Sequence, residues 1–332
     1  MDDVTPNAGE LDLRVRIGSA QLRNPTIAAS GCYNRGAEFG AIADVSRYGA
    51  VTLKSVTREP RLGNDMPRLA NTPAGLLNAI GLQGPGITHF LAHDARRLAE
   101  VPTAVIASVA GFTVEEFADV AAAMDGLPNV VAIELDVSCP NVDREGVCFA
   151  AEPASIARVL EAVKVRVKLP VIAKLMPNVA DLRPIARAAQ DAGADALSLI
   201  NAVRGIAIDV ARARPILANG SGGLTGPAIR PIAVHAVWEV AQAVSIPLIG
   251  IGGIETGHDA LEFLFAGATA VGIGTANFRD PLVHIRVVET IEAQMRGRGA
   301  VHVGELTGIA NAGFAGKRAR DGAAVRAKDD EH

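Results

Sequence analysis

The sequence of 332 residues has little of what secreted and membrane-spanning proteins need. Its three cysteines, Cys32, Cys139 and Cys148, form no Cys-x-x-Cys pair, which argues against a disulfide framework and against structural zinc. No apolar run approaches the roughly 20 residues that cross a bilayer. Residues 1–10 carry neither the basic start nor the apolar stretch of a secretory signal. We therefore expect a reduced, cytoplasmic protein that does not bind a membrane.

Aromatic residues and positive charge are also scarce. Phe, Trp and Tyr make up 4% of the chain, and the formal net charge is -4 at pH 7. Nucleic-acid binding usually needs a basic stripe and often stacking rings, so we expect no nucleic-acid partner. The seven histidines show no metal-ligand spacing, and the chain has no nucleophile elbow of a serine hydrolase. We therefore expect no metal site, and cofactor chemistry is the class of catalysis that remains.

Apolar residues and glycine are abundant, at 49% hydrophobic content and 34 glycines. Short β-rich runs alternate with longer helical patterns along the whole chain. The β-rich runs cover residues 26–30, 50–54, 104–108, 131–136, 171–174, 196–200, 247–251 and 270–273, and the helical patterns cover 114–124, 153–167, 179–192, 229–243, 258–266 and 281–297. This alternation predicts an α/β protein with the (β/α)8 TIM-barrel fold.

The β-rich runs lack a clean polar alternation, as expected of parallel strands that are covered on both faces. An open doubly wound sheet is the alternative, but no early Gly-x-Gly-x-x-Gly turn opens a first strand-helix unit. We predict one barrel domain over residues 1–311 and a polar, partly disordered tail over residues 312–332. The long connections 58–86 and 139–153 follow strand ends, and we expect them to be active-site loops without regular structure.

Chemically competent side chains stand where the predicted strands end. Lys54 and Lys174 close apolar runs, where an unpaired cation would be costly, and we predict that both face an anionic ligand. Gly252-Gly253 and Gly274-Thr275 follow the last two strands, where barrels commonly bind phosphate through bare backbone N–H groups. The fourth strand ends in Glu134-Leu135-Asp136-Val137-Ser138-Cys139-Pro140-Asn141. Because strand ends converge in a barrel, these residues predict one site that holds a phosphate-bearing cofactor.

Several longer motifs make the chain resemble the dihydroorotate dehydrogenases over about residues 11–311. They are Asn24-Pro25 with Ala29-Ser30-Gly31, Thr52-Leu53-Lys54-Ser55-Val56-Thr57, Thr72-Pro73-Ala74-Gly75-Leu76-Leu77-Asn78-Ala79-Ile80-Gly81-Leu82-Gln83, Ser138-Cys139-Pro140-Asn141-Val142, Gly222-Gly223-Leu224-Thr225-Gly226-Pro227 and Gly272-Ile273-Gly274-Thr275-Ala276-Asn277. The resemblance implies an FMN-binding (β/α)8 barrel, in agreement with the strand count.

The resemblance also implies an activity. The segment Asn78-Ala79-Ile80-Gly81-Leu82-Gln83 and Cys139 are similar to those of the class 1B catalytic subunits, in which FMN-dependent oxidation of (S)-dihydroorotate to orotate serves pyrimidine biosynthesis. The resemblance implies that Cys139 is the base that removes the C5 proton while hydride passes from C6 to flavin N5. The implied partner is an iron-sulfur, FAD-containing electron-transfer subunit that passes electrons to NAD, and the implied assembly is a homodimer or a heterotetramer.

The resemblance assigns the other site residues by position. Those implied to bind substrate are Lys54, Asn78, Ile80, Gly81, Leu82, Asn141, Asn201 and Ala202. Those implied to bind FMN are Ala29, Ser30, Lys54, Ser55, Asp136, Lys174, Ile200, Gly222, Gly223, Gly252, Gly253, Gly274 and Thr275. Lys174 is implied to stabilise the negative charge of the reduced flavin.

Two residues depart from the family pattern. Asp136 stands where the family usually has asparagine, and Ala202 stands where it usually has a hydroxyl residue. The carboxylate removes a hydrogen-bond donor and adds negative charge beside an anionic substrate, unless it is protonated or paired with Lys54 or Lys174. An alternative function is therefore the same flavin chemistry on another dihydropyrimidine or a related cyclic amide. A non-catalytic flavin-binding protein is a further alternative, but Cys139 and both lysines argue against it.

Overall fold

The computed structural model describes residues 11–34, 40, 42–137 and 149–314. The strands in these ranges are β1 (Val15–Ile17), β2 (Ala20–Leu22), β3 (Thr26–Ala28), β4 (Ala50–Thr52), β5 (Leu69–Thr72), β6 (Gly75–Asn78), β7 (Ala104–Val109), β8 (Val130–Leu135), β9 (Val171–Leu175), β10 (Ala196–Leu199), β11 (Val203–Gly205), β12 (Ile208–Asp209), β13 (Arg214–Pro215), β14 (Gly222–Thr225), β15 (Leu248–Ile251) and β16 (Ala270–Ile273). The helices are α1 (Ile87–His93), α2 (Val114–Met124), α3 (Pro153–Lys164), α4 (Arg183–Asp191), α5 (Arg230–Ala241), α6 (Gly257–Ala266) and α7 (Val283–Arg298).

Eight parallel strands close into a barrel in the order β3, β4, β7, β8, β9, β10, β15, β16 and back to β3. The closing pair, β16 and β3, is parallel with Val271 opposite Thr26 and Ile273 opposite Ala28. Each barrel strand coincides with one of the eight predicted runs to within two residues at either end. The (β/α)8 fold predicted from the sequence is therefore confirmed, and the open sheet is excluded.

Continuous apolar runs form the barrel strands because both faces of each strand are covered. All five residues of β9 are buried, including Lys174. Small residues let the helices lie directly on the strands: a Cβ atom at Gly250 of β15 would stand 2.5 Å from the ring of Phe263 in α6. Threonine caps begin two of the helices, since the Thr113 and Thr256 hydroxyls accept from the N–H groups of Glu116 and Asp259.

A small antiparallel sheet lies on the connections that leave the C-terminal ends of the barrel strands. Its order is β11, β14, β6, β5, so it joins residues 69–78 to residues 203–225. The expectation that the connection 58–86 has no regular structure is wrong, because β5 and β6 form a hairpin there that pairs with the distant β14. Most of the other long connection, including Cys139 and Cys148, lies outside the described residues.

The chain remains ordered on the barrel somewhat beyond residue 311. Residues 309–314 are helical, and the ring of Phe314 packs edge-on against Trp238 of α5 at a centroid distance of 5.7 Å. Of the tail predicted over residues 312–332, residues 315–332 lie outside the described residues. In the parts of the chain that the structure describes, no helix has both the length and the hydropathy of a transmembrane span.

Candidate active site

A cleft opens at the C-terminal end of the barrel, where the predicted strand-end residues converge. It holds about 560 Å³ of space, counted out to its open mouth. Its walls are Ala29, Ser30, Lys174, Ile200, Asn201, Ala202, Thr225, Gly226, Ile229, Ile251, Gly252, Gly253, Ile254, Glu255, Gly274, Thr275 and Ala276. The cleft thus combines apolar walls with glycine turns and one buried cation.

The cation is Lys174, which lies on β9 with only 7% of the residue exposed. Its Nζ atom is 3.6 Å from Oε1 of the buried Glu134, whose other oxygen accepts a 2.8 Å hydrogen bond from Ser198. Burial alone would lower the pKa of Lys174, but the carboxylates of Glu134 and Asp136 outweigh it and raise the pKa above the ordinary lysine value. Lys174 therefore carries a positive charge into the cleft throughout the physiological pH range.

Asp136 follows β8 and lies in a polar network beneath the cleft. Its Oδ2 accepts a 3.1 Å hydrogen bond from the Ser55 hydroxyl, and its Oδ1 accepts a 3.3 Å bond from the Asn201 amide. The Ser55 and Ser108 hydroxyls are 2.9 Å apart, which extends the network to β7. The carboxylate that departs from the family pattern is therefore compensated by donors and by its attraction to Lys174.

Two glycine turns bound the other side of the cleft. Gly252 and Gly253 have φ angles of 142° and 70°, which residues with a side chain rarely adopt. A Cβ atom at Gly274 would find only the Cβ of Ala29 within 4 Å, at 3.9 Å, so this turn presents bare backbone. None of the N–H groups of Gly252, Gly253, Gly274 and Thr275 donates a hydrogen bond to a described residue. Such free donors on glycine turns suit a phosphate group.

The structure brings ten of the predicted site residues to the cleft wall: Ala29, Ser30, Lys174, Ile200, Asn201, Ala202, Gly252, Gly253, Gly274 and Thr275. Ser55 and Asp136 lie just behind this wall, in the network described above. The half-buried Lys54 follows β4 and is not among the wall residues. Cys139 and Asn141, predicted as the base and a substrate ligand, lie outside the described residues.

The remaining predicted residues belong to the small sheet and its flanks rather than to the cleft wall. Gly222 and Gly223 lie in β14, and the Asn78 amide donates a 3.1 Å hydrogen bond to the Gly223 carbonyl. A Cβ atom at Gly223 would stand 2.5 Å from the Cβ of Ala202, so this glycine permits close packing against the cleft wall. Ile80, Gly81 and Leu82 follow β6, and the last two have positive φ angles.

Several wall residues were not singled out from the sequence. Thr225 and Gly226 belong to the motif that begins at Gly222, but they were not assigned to the site. The positive φ angle of Gly226 explains why a glycine occupies this position. Glu255 had no signal, since nothing in the sequence reveals that its carboxylate pairs with Arg279 at 3.0 Å.

Cys32 follows β3, and burial raises the pKa of its thiol to about 12, so it is a neutral group beside Lys174 and Asn277. Within the described ranges, no three His, Cys, Asp or Glu side chains converge to hold a metal ion.

Comparison with known proteins agrees with this geometry. The family model of the dihydroorotate dehydrogenases matches residues 12–295. The chain belongs to the dihydroorotate dehydrogenase family. It is 49% identical over 297 residues to dihydroorotate dehydrogenase B (NAD(+)), catalytic subunit, of Desulforudis audaxviator, a match that covers 90% of this chain and 97% of that protein.

Two further relatives in the dihydroorotate dehydrogenase family carry the same name. The protein of Geobacillus kaustophilus is 47% identical over 296 residues, covering 89% of this chain and 95% of the relative. The protein of Geobacter sp. strain M21 is 47% identical over 297 residues, covering 90% and 97%. The chain is thus an oxidoreductase of the kind that acts on a CH–CH group, in a family that depends on flavin.

The cleft of this dihydroorotate dehydrogenase family member fits a flavin nucleotide. A flavin presents a flat, largely apolar ring with a polar edge, and its nucleotide form ends in a phosphate. The walls offer apolar side chains such as Ile200 and Ile251, the buried cation of Lys174, and the unpartnered N–H groups of the two glycine turns. The walls therefore offer groups whose chemistry matches each part of such a ligand.

Proposed function

We propose that the protein uses FMN to oxidise (S)-dihydroorotate to orotate in pyrimidine biosynthesis. The observation that carries the proposal is the cleft itself, in which the buried cation Lys174 and the N–H groups of two glycine turns, which have no partner among the described residues, share one cavity. Relatives that match about 90% of the chain and are named for dihydroorotate support the choice of substrate.

FMN, rather than a flavin without phosphate, is supported by the glycine turns. Gly252, Gly253, Gly274 and Thr275 would hold the phosphate, and Lys174 would lie at the polar edge of the flavin. Ala29, Ser30 and Ile200 would line the ring, with Lys54, Ser55, Asp136, Gly222 and Gly223 completing or supporting the flavin site. When bound, FMN supplies the acceptor for the hydride that leaves the substrate.

The substrate side of the proposal rests on amides and one further cation. Asn78, Asn141 and Asn201 would hydrogen-bond the dihydropyrimidine ring, together with the backbone of Ile80, Gly81, Leu82 and Ala202. Lys54 would bind the substrate carboxylate. The side-chain Oδ1 of Asn201 accepts a 2.8 Å hydrogen bond from the Ala202 N–H, and its Nδ2 donates to Asp136. These two bonds hold the Asn201 side chain in one orientation, as a substrate ligand requires.

Cys139 would act as the general base. Its thiolate takes the proton from C5 of dihydroorotate, and the electron pair of that C–H bond forms the C5=C6 double bond as hydride leaves C6. Because the thiolate is the active form, a cysteine can serve as this base only if the pKa of its thiol is lowered or the substrate is enclosed beside it. The assignment rests on the sequence motif, since residues 138–148 are not among the described residues.

The alternative substrate, another dihydropyrimidine or cyclic amide, is not favoured. It was suggested by the charge of Asp136, and that carboxylate accepts hydrogen bonds from Ser55 and Asn201 beside the cationic Lys174. The compensated charge removes the reason to expect repulsion of an anionic substrate. All the relatives reported above are named for dihydroorotate.

The relatives are named as catalytic subunits, which implies a second subunit in those proteins. We propose that this chain also pairs with an iron-sulfur, FAD-containing subunit that passes electrons to NAD, and that it forms a homodimer or a heterotetramer. Exposed apolar side chains concentrate on and around the small sheet, namely Leu62, Met66, Leu69, Ile206, Ile208, Val210 and Ile216. Such a patch supports a contact between subunits there. Cytoplasmic location stays a prediction.

The base is tested by replacing Cys139 in the flavin-loaded protein. Mixed anaerobically with dihydroorotate, C139A should lose flavin reduction by about 100-fold or more, because general bases contribute about 10² to 10⁴. C139S should retain part of the rate, with its pH profile displaced to higher pH because a hydroxyl is a weaker acid than a thiol. C148A, which replaces a cysteine with no role in the proposed site, is the matched control and should reduce at the rate of the unmodified protein. Equal rates for C139A and C148A would remove Cys139 from the mechanism.

A further inference from the structure

A buried pair of polar side chains stands behind the Gly274–Thr275 turn and has no role in the proposed chemistry. Asn277 lies in the short helix Thr275–Phe278, and His284 lies in the first turn of α7. Both residues are completely buried. The Nε2 atom of His284 is 3.1 Å from Oδ1 of Asn277.

The hydrogen bonds of Asn277 determine which way its amide faces. Its Nδ2 atom is 2.8 Å from the Ile273 carbonyl oxygen and 2.9 Å from the Gly274 carbonyl oxygen. Carbonyl oxygens only accept, so Nδ2 is the donor in both bonds and Oδ1 faces His284. His284 must then donate from Nε2, and its proton is on that nitrogen. The orientation of Asn277 and the tautomer of His284 therefore fix each other.

The surroundings of His284 keep it neutral and hold its ring in place. Burial lowers the pKa of His284 to about 3, and no carboxylate opposes that shift. The ring stacks on Tyr48 at a centroid distance of 4.1 Å. The Tyr48 hydroxyl donates a 3.0 Å bond to the Pro281 carbonyl and accepts one of 3.2 Å from Tyr33. These contacts tie the segment after β3 to the segment after β16.

The bonds from the Asn277 amide help to set the direction of the N–H groups in the turn. The Ile273 carbonyl also accepts from the Ala29 N–H at 2.9 Å, and the Gly274 carbonyl also accepts from the Asn277 N–H at 3.0 Å. A trans peptide group is planar, with its C=O and its N–H on opposite sides. Because the Ile273 and Gly274 carbonyls are held toward Asn277, the N–H groups of Gly274 and Thr275 are turned away from it. These are two of the N–H groups that have no partner among the described residues, and both residues line the cleft.

We propose that Asn277, oriented by His284, is a positioning residue that holds the Gly274–Thr275 turn in the conformation that binds the phosphate of the flavin nucleotide. The inference rests on the proposed binding of FMN. It assigns a function to a buried histidine that does not line the cleft. The pair acts through the backbone of the turn. It should therefore change the affinity for the phosphate of the ligand and leave the affinity for the ring unchanged.

The test compares FMN with riboflavin, which has the same ring and no phosphate. Full-length protein is freed of flavin and titrated with each ligand, and the ratio of the two dissociation constants is measured. Removing the amide in N277A, or the donor in H284L, should weaken FMN binding by about tenfold and leave riboflavin binding within about twofold. H284Q should restore the ratio, because a glutamine amide can donate to Asn277 in place of Nε2. The double variant should be no worse than either single variant if the pair acts as one unit.

A matched control separates this role from general support of the fold. The Asn311 amide also donates to a backbone carbonyl, that of Ala266 at 2.8 Å, but Asn311 does not line the cleft. N311A should leave the FMN-to-riboflavin ratio unchanged. If N277A does not fold, the comparison of H284L with H284Q decides the outcome.

The outcomes distinguish this inference from the proposed function. If the unmodified protein binds FMN more tightly than riboflavin and the variants keep the same preference, the positioning role alone is overturned. If the unmodified protein binds FMN and riboflavin equally, the Gly274–Thr275 turn does not bind the phosphate, and the inference is overturned as well. Protein that binds neither flavin overturns the proposed function.

Discussion

The charge in the floor of the cleft depends on the buried Lys174 and Glu134 and on the partly buried Asp136. Lys174 lies 3.6 Å from Glu134 and is also attracted by Asp136. Lys174 and Glu134 are almost wholly buried, so their attraction is screened little by solvent. A buried cation of this kind persists only while its carboxylate partners are present.

We expect the alkaline limit of flavin reduction by dihydroorotate to depend on those carboxylates. The pKa of Lys174 is raised in the folded protein, so its charge is complete below the ordinary lysine range and is lost only as pH rises through the raised value. E134Q and D136N each remove one cause of that raise and should move the alkaline limb of the pH profile to lower pH. D181N, which alters a carboxylate paired with Arg183 at the surface, is the control. An alkaline limb that does not move in either E134Q or D136N would mean that Lys174 does not govern it.

Some site residues could be predicted from the sequence and others could not. Lys174, Gly252 and Gly274 could be found because a lysine or a glycine that closes an apolar strand contributes little to packing and so indicates a ligand. His284 could not, because its partner Asn277 becomes visible only when α7 packs behind the turn after β16. The compensation of Asp136 could not be found either, since Ser55 and Asn201 are 81 and 65 residues away in the chain.

At the scale of elements, the start of α6 fixes the end of the loop that carries Gly252 and Gly253. The Asp259 carboxylate accepts hydrogen bonds from the N–H groups of Glu255 and Thr256, at 3.0 and 2.8 Å. It also pairs with Arg230 of α5. One carboxylate therefore connects the cleft loop, α6 and α5.

Removing this carboxylate should cost more stability than removing an ordinary helix cap. D259A should lower the free energy of unfolding by about 2 to 3 kcal/mol, because two N–H groups and Arg230 lose a charged partner together. E116A is the matched variant at the start of α2, where Phe112 supplies the one N–H that the carboxylate accepts among the described residues, at 2.7 Å, and it should cost about 1 kcal/mol. Urea unfolding of the two variants measures the difference. Equal losses would show that Asp259 does no more than cap its helix.

The barrel strands and the small sheet show why some elements could be predicted and others could not. The barrel strands are continuous apolar runs, and their pattern is visible within five residues, as in β9. The hairpin of β5 and β6 contains Asn71, Pro73, Gly75 and Asn78, a composition typical of loops. Its strands are stable because β6 pairs with β14, about 145 residues later in the chain, and local composition carries no signal of that pairing.

At the scale of the whole molecule, the barrel brings separate segments to one cleft and leaves apolar side chains uncovered beside it. Met66 and Val210 are exposed by 75% and 88%, within the patch on and around the small sheet. Patches of this kind usually mark a contact with another protein. The proposed assembly makes this patch a contact between subunits.

We therefore expect charges in the patch to dissociate the assembly. Sedimentation of the double variant M66E/V210E should give a monomer, while the unmodified protein sediments as a dimer or larger species. V165E is the control, because Val165 is 83% exposed at the C-terminal end of α3 and thus at the opposite face of the barrel. A double variant that keeps the assembly state of the unmodified protein would place the contact elsewhere.

The central claim is that this cleft binds FMN and oxidises dihydroorotate. Its most direct test is anaerobic mixing of the yellow, purified protein with dihydroorotate, followed by the flavin absorbance and by orotate formation. Dihydrouracil, which has the same reacting ring without the carboxylate, is the comparison substrate. We predict that dihydroorotate bleaches the flavin and yields one orotate for each flavin reduced, while dihydrouracil bleaches it far more slowly. Flavin that stays oxidised with dihydroorotate, or that is reduced faster by dihydrouracil, would contradict the assignment.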